Sequence, residues 1–120
     1  MRCLPPLPVH DGVAGFDAVF SANTLHIMGW EEVQALFAGL PSLMAPDGLF
    51  IAYGPFNYNG AFTSDSNRNF DGWLKARDPR SGIRDFESVD ALARAQQLEL
   101  RDDVAMPANN RCLVWRRVRV

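Results

Sequence analysis

No glycine-rich loop of the kind that cradles a phosphate or a dinucleotide occurs anywhere in this 120-residue chain. That absence removes the usual strand–loop–helix route to a self-contained nucleotide site. Cysteine is scarce as well. Cys3 and Cys112 are too few and too far apart for a zinc motif, and two positions do not establish a disulfide. With two histidines and no clustered cysteines or carboxylates, no metal site is expected. No stretch reaches the roughly 18–20 apolar residues of a membrane span. The opening Met1-Arg2-Cys3-Leu4-Pro5-Pro6-Leu7-Pro8 is broken by prolines where a signal peptide would be continuously apolar. Nor is there a charge excess: a net charge of −2 offers nothing to nucleic acid or to an anionic membrane. Arg116, Arg117 and Arg119 form a local basic cluster, read either as a solvated strand end or as a phosphate contact. One domain with 48% hydrophobic residues, located in the cytoplasm, is the expectation.

What is present is a repeated arrangement. Three polar or aromatic segments each follow an apolar, strand-like run. They are Ser21-Ala22-Asn23-Thr24-Leu25-His26 after Phe16–Phe20, Tyr53-Gly54-Pro55-Phe56-Asn57-Tyr58 after Gly48–Ala52, and Met106-Pro107-Ala108-Asn109-Asn110 after Val104–Met106. Ligands of open α/β sheets bind outside the carboxyl ends of the strands. The three segments therefore form one wall of a candidate site.

Residues 1–15 are rich in Pro and Gly and read as an irregular lead-in; residues 16–120 carry the domain. Phe16–Ser21 follows a glycine and has the pattern of a buried strand. Trp30, Val33, Leu36, Phe37, Leu40, Leu43 and Met44 recur at helical spacing, with Glu31 and Glu32 suited to the positive helix end. Pro41 within that pattern predicts a kink or a break, because it removes the hydrogen bond to the Phe37 carbonyl. Ala45-Pro46-Asp47-Gly48 reads as a tight turn and Leu49–Tyr53 as a central strand. A short helix should carry Phe70, Trp73, Leu74 and Arg77, with Ser66 as its cap and Asp78-Pro79 as its stop. Phe70 and Trp73 are expected in the core. A further helix follows Asp85, with Phe86, Val89, Leu92 and Ala93 as its apolar stripe. Leu98–Leu100 and Val104–Met106 suggest one interrupted strand, and Arg111–Val118 the last, with Asn109-Asn110 at the hairpin tip. The order β-α-β-α-α-β-β implies a mostly parallel sheet closed by an antiparallel hairpin.

That order resembles the C-terminal half of the class I S-adenosylmethionine-dependent methyltransferase fold, a Rossmann-like α/β sheet. Phe16-Asp17-Ala18-Val19-Phe20-Ser21-Ala22-Asn23-Thr24-Leu25-His26-Ile27 is similar to the fourth-strand signature of a little-characterised family of methyltransferase-like proteins. Tyr53–Asn57, Ser64–Asn67, Phe70–Leu74, Gly82–Phe86 and Met106–Asn110 match further segments of that family in the same order. The resemblance runs from about Phe16 to Arg116. The family's upstream half, with its Glu/Asp-x-Gly-x-Gly loop and ribose-binding acid, has no counterpart here. The chain is thus expected to be a truncated methyltransferase-like domain, a mis-started reading frame or one part of a split protein, and to bind S-adenosylmethionine weakly or not at all by itself. Gln97 also stands where a helix-ending glycine is usual.

The resemblance implies a methyltransferase acting on a small-molecule acceptor. It places Asn23 and Leu25 beside the cofactor, His26 as the base, and Tyr53, Asn57 and Asn109 against the substrate. An ordinary imidazole, with a pKa of ~6.5, suits proton transfer near neutrality. Each has a plainer alternative. His26 could cap the following helix or satisfy a carbonyl. Tyr53–Tyr58 could be a rigid turn, and Asn109 and Asn110 could be hairpin chemistry alone. Arg77, Arg80 and Arg84 either recognise a carboxylate or form a solvated helix end. The rival reading of the whole chain is a non-catalytic α/β scaffold or interaction module. In the family's sheet the strand at Phe16–Ser21 is internal, so an open edge there predicts a homodimer through it or poor solubility.

Overall fold

A computed structural model describes residues 15–118. The lead-in expected for residues 1–15 lies outside the described residues except for Gly15, as do Cys3, His10 and Arg119. Phe16–Ala22 forms β1, whose alternation buries Val19 and Ser21 on one face and leaves Phe20 on the other, 56% exposed. Trp30–Leu43 forms α1, burying Val33, Leu36, Phe37, Leu40 and Leu43 at three- and four-residue spacing. Glu32 turns back to accept the Gly29 N–H at 3.0 Å, satisfying one orphan donor of the first turn.

The helix does not break at Pro41 but runs on to Leu43. A proline in a helix interior costs about 3 kcal/mol. Five buried apolar side chains, each contributing about 1.5–3 kcal/mol, outweigh that cost and hold the last turn in place. β2 follows directly as Met44–Gly54. The expected turn at Ala45–Gly48 is a bulge within this strand, since Phe16 pairs with Met44 but Ala18 pairs with Leu49. Glycine is required there: a Cβ on Gly48 would lie 2.8 Å from the Ala45 carbonyl oxygen and 3.0 Å from that of Phe16.

Two short strands add to the expected order. β3 (Phe56–Asn57) pairs in parallel with β4 (Arg84–Asp85) as a separate two-stranded sheet. Between them α2 (Asp65–Arg77) is capped by Ser64, whose hydroxyl accepts the Asn67 N–H at 3.0 Å. Ser66, the expected cap, lies inside the helix instead. α3 (Phe86–Ala95) leads to β5 (Leu98–Met106), which carries a bulge between Leu100 and Asp102 rather than an interruption. A three-residue turn, Pro107–Asn109, joins β5 to β6 (Asn110–Arg117).

The main sheet has the order β1-β2-β6-β5. β1 and β2 are parallel, and β6 runs antiparallel to both of its neighbours. β1, β2 and β5 therefore all end at the same edge. One sheet face packs on α1 and α3 around Phe37, Phe50 and Trp115, with ring centroids 5.4–6.0 Å apart. The Trp115 indole N–H donates to the buried Asp90 carboxylate at 3.0 Å, which ties α3 to β6. Trp73 is not core. It is 53% exposed, stacked on Phe70 and covered by the Arg77 guanidinium at 4.7 Å. Arg116 pairs with Asp47 at 2.7 Å and Arg117 donates to the Met44 carbonyl at 2.6 Å, so both serve the sheet itself. No helix among the described residues is long and apolar enough to cross a membrane.

Gln97 holds a left-handed φ of 62° immediately after α3. A left-handed conformation costs a residue with a Cβ about 1–2 kcal/mol, partly offset by the entropy glycine loses on folding. Gln97→Gly is expected to stabilise the protein by about 0.5–1 kcal/mol, read from the urea midpoint. A lower midpoint would contradict the strain at this position.

Candidate functional site

Where β1 ends, the chain must leave the sheet without continuing the ladder. Asn23 accomplishes this with φ 53°, a conformation its short polar side chain tolerates, while its N–H still donates to the Tyr53 carbonyl at 2.8 Å. Thr24 then closes a turn, its carbonyl accepting the N–H groups of Ile27 and Met28 at 3.0 and 3.2 Å. This turn swings His26 back over the end of β2. A Cβ on Gly54 would touch the imidazole Nδ1 at 3.5 Å.

The turn is clamped from outside. The Arg84 guanidinium donates to the carbonyls of Leu25 at 3.2 Å, of Arg80 at 2.8 Å, and of Met28. The Gly82 N–H adds a bond to the His26 carbonyl at 2.9 Å. Residues 81–84 are themselves fixed by α2. Asp71 accepts the Ile83 N–H at 2.8 Å, and the Ser81 hydroxyl donates to the Leu74 carbonyl at 2.8 Å. Arg84 thus neither recognises a carboxylate nor dissolves into solvent; it staples the segment after β1 to the segment before α3. Burial pulls its pKa below the usual arginine value.

A cavity of about 480 Å³ opens at the carboxyl edge of the sheet. Asn23, His26 and Ile27 line it from the turn after β1, Pro55 from just past β2, and Ala108, Asn109 and Asn110 from the hairpin. Ser66, Asn67 and Phe70 close it from α2. Three of the residues expected from sequence, Asn23, His26 and Asn109, therefore share one cavity. The other three lie off it. Leu25 is buried, and its carbonyl is taken by Arg84. The Tyr53 hydroxyl accepts from the Asn110 side chain at 3.4 Å. Asn57 is buried in β3, its amide N–H donating to the Ile83 carbonyl at 3.5 Å and its Oδ1 left without a partner. Tyr58 is occupied elsewhere, donating to Asp103 at 2.9 Å and stacked on Phe86.

The contribution of α2 was not expected. Its signal was in the sequence: Ser66, Asn67 and Phe70, at three- and four-residue spacing, fall on one helix face. Phe70 meets the His26 ring edge-on, with centroids 5.5 Å apart. The imidazole is 5% exposed and makes no hydrogen bond among the described residues. It caps nothing: the N-cap of α1 is Gly29. Burial, and then the Arg84 charge, pull its pKa down to about 4. At pH 7 roughly one molecule in a thousand carries the protonated ring.

The depressed pKa fixes a pH dependence. Unfolded His26 binds a proton below ~6.5, whereas the folded ring does so only near 4. Stability linked to His26 is therefore complete above ~6.5 and falls as pH drops toward 4, by about 3 kcal/mol in all. The His26 ring signals should titrate near pH 4 by NMR, and His26→Gln should flatten the stability slope between pH 6.5 and 4. A midpoint near 6.5 would contradict the buried, neutral ring.

The geometry can be set against known proteins. Solved structures of the same architecture include an O-methyltransferase family 2 protein from Planctomyces limnophilus in complex with apigenin, with TM-score 0.78 and 14% identity over 90% of this chain and 33% of that one. An O-methyltransferase family protein from Burkholderia thailandensis gives 0.76 and 13%, covering 89% and 32% of the two chains. The mitomycin 7-O-methyltransferase MmcR gives 0.73 and 19%, covering 87% and 30%. The chain thus has a methyltransferase-like α/β fold and spans about a third of the length of these structures. Its residues 5–117 match the sequence profile described as "Protein of unknown function (DUF938)", and the chain belongs to that family.

Proposed function

We propose that this chain is the acceptor-binding, C-terminal half of an S-adenosylmethionine-dependent methyltransferase that acts on a small molecule. One observation carries this reading. In a methyltransferase-like fold, three strand ends converge on a cavity into which a buried histidine is set without a partner. The names of the structural neighbours favour an oxygen acceptor. His26, Asn23 and Asn109 would face the acceptor directly. Tyr53 would act through Asn110, and Leu25 through the backbone of its turn. With a pKa of about 4, His26 is a weak base and serves best as a neutral hydrogen-bonding partner to the acceptor group.

The residues present do not make a whole cofactor site. Among the described residues, the cavity lining includes no carboxylate to hold a ribose and no glycine-rich backbone to approach a bound group closely. Calorimetric titration of S-adenosylmethionine into the 120-residue chain is therefore expected to show no saturable binding. Saturable binding would overturn the half-site reading. A family member that carries the glycine-rich loop is expected to transfer labelled methyl groups to small acceptors. Failure across oxygen and nitrogen acceptors would favour the scaffold reading instead.

Two copies are proposed to pair along β1. Among the described residues, β1 is bonded to β2 on one side only. The opposite edge strand, β5, is protected by a bulge and by Glu99, Arg101, Asp102 and Asp103, whereas β1 carries only Asp17. Phe20, Ile51 and Val114, in register across three strands, extend an apolar row from that edge. Sedimentation velocity at micromolar concentration is expected to show a dimer that Phe20→Lys dissociates. A monodisperse monomer would contradict the pairing.

A further inference from the structure

The cavity's chemistry says more about its occupant than its position does. Among the described residues, no Lys, Arg, Asp or Glu lines it. Its side-chain amide donors are largely spent within the protein. The Asn67 amide donates to the Thr63 hydroxyl at 3.0 Å and to the Asn109 carbonyl at 3.4 Å. That of Asn110 donates to the Tyr53 hydroxyl at 3.4 Å and to the Pro107 carbonyl at 3.2 Å. Asn109 donates to the Ser66 hydroxyl at 3.2 Å. What remains on the Asn67 and Asn110 amides is acceptor oxygen, while the amides of Asn23 and Asn109 and the neutral His26 imidazole each keep an acceptor beside an N–H. Ile27, Pro55 and the Phe70 ring form an apolar wall beside them.

The N-terminus of α2 does not turn this into an anion site. Ser64 already takes the Asn67 N–H, and Asp65 places a carboxylate in the first turn. A cation is disfavoured in turn, because the Arg84 charge lies directly behind the turn that carries His26. Asn67 is buried with both amide N–H groups spent, so an occupant that covers its oxygen without bringing an N–H or O–H leaves that acceptor without hydration or replacement. An aromatic wall is best matched by a flat ring.

Resting on the reading of this cavity as the acceptor site, we propose that it binds an uncharged, flat molecule presenting an O–H or N–H donor, and that it rejects carboxylates and phosphates. His26 and the amides of Asn23, Asn67, Asn109 and Asn110 take the donor edge, while Phe70, Pro55 and Ile27 hold the ring. The neutral state of His26 at pH 7 keeps a matching cation out of the lining, so an anionic ligand finds no charged partner to offset its lost hydration.

Three probes of one ring system test this on the intact chain at pH 7: 2-naphthol, naphthalene-2-carboxylate and naphthalene, followed by calorimetry and by NMR of the His26 ring. 2-Naphthol is expected to bind and to shift the His26 signals. The carboxylate and the bare hydrocarbon should each bind at least about tenfold more weakly. His26→Phe should reduce the margin of naphthol over naphthalene, while His26→Gln, which keeps a hydrogen-bonding group, should retain part of it. Equal or tighter binding of the carboxylate overturns the proposal, as does a complete lack of binding by all three. No cofactor enters the measurement. Naphthol binding without methyl transfer by any family member would leave this inference standing and sink the methyltransferase reading; transfer to a carboxylate or phosphate acceptor would do the reverse.

Discussion

The site depends on one half-buried cation that pairs with no carboxylate among the described residues. Arg84 is removed from much of its water and pairs with no acid among the described residues; backbone carbonyls of Leu25, Met28 and Arg80 take its donors instead. Removing a guanidinium from water costs several kcal/mol unless its N–H groups are satisfied, so the carbonyls must stay where they are. The rigidity of the turn after β1 follows from that requirement. A carboxylate partner would have neutralised Arg84 locally. Carbonyls neutralise nothing, and the remaining positive field reaches His26, where it adds to burial in keeping the ring uncharged.

The rest of the fold serves to bring Arg84 to this place. Trp115 and Asp90 fix α3 on the sheet, and the start of α3 fixes β4, which carries Arg84. Asp71 and Ser81 hold the chain just before β4 against α2. α2 in turn presents Ser66, Asn67 and Phe70 to the cavity. The same helix therefore supports the clamp with its C-terminal half and lines the site with its N-terminal half. Antiparallel insertion of β6 between β2 and β5 completes the arrangement, because it lets β5 run in the direction of β1 and β2. Without that insertion the hairpin tip would lie at the far edge, away from His26.

Much of this was legible in the sequence because periodicity and turn chemistry are local. The strand ends at Asn23, Pro55 and Asn109 could be read from apolar runs followed by polar residues, and they do meet. Gln97 was visible as a residue in a glycine's place, and its φ of 62° bears that out. The misses share a cause. Ser64 and Ser66 are both good caps, and only the path of the chain into α2 chooses between them. Trp73 has the composition of a core residue, yet it falls on the outer face of α2, where Arg77 covers it. Asn57 and Leu25 sit in the right segments but face inward. Arg84 offered no local signal at all, since its partners are carbonyls at least 56 residues earlier except for Arg80. Carbonyls leave no trace in a sequence.

A histidine in such a cavity invites assignment as a general base, and the electrostatics argue for a different emphasis. A base gains strength from a nearby anion that stabilises its protonated form, as a carboxylate would. His26 has the opposite environment: burial, a cation behind it and a Phe70 edge beside it. Full proton transfer from a phenol-like group, with a pKa of about 10, to a ring near 4 would be uphill by about 8 kcal/mol. The same surroundings make the ring a well-placed hydrogen-bonding group, since nothing among the described residues competes for its nitrogens. On the proposed reading, orientation of the acceptor, rather than removal of its proton, falls to this residue.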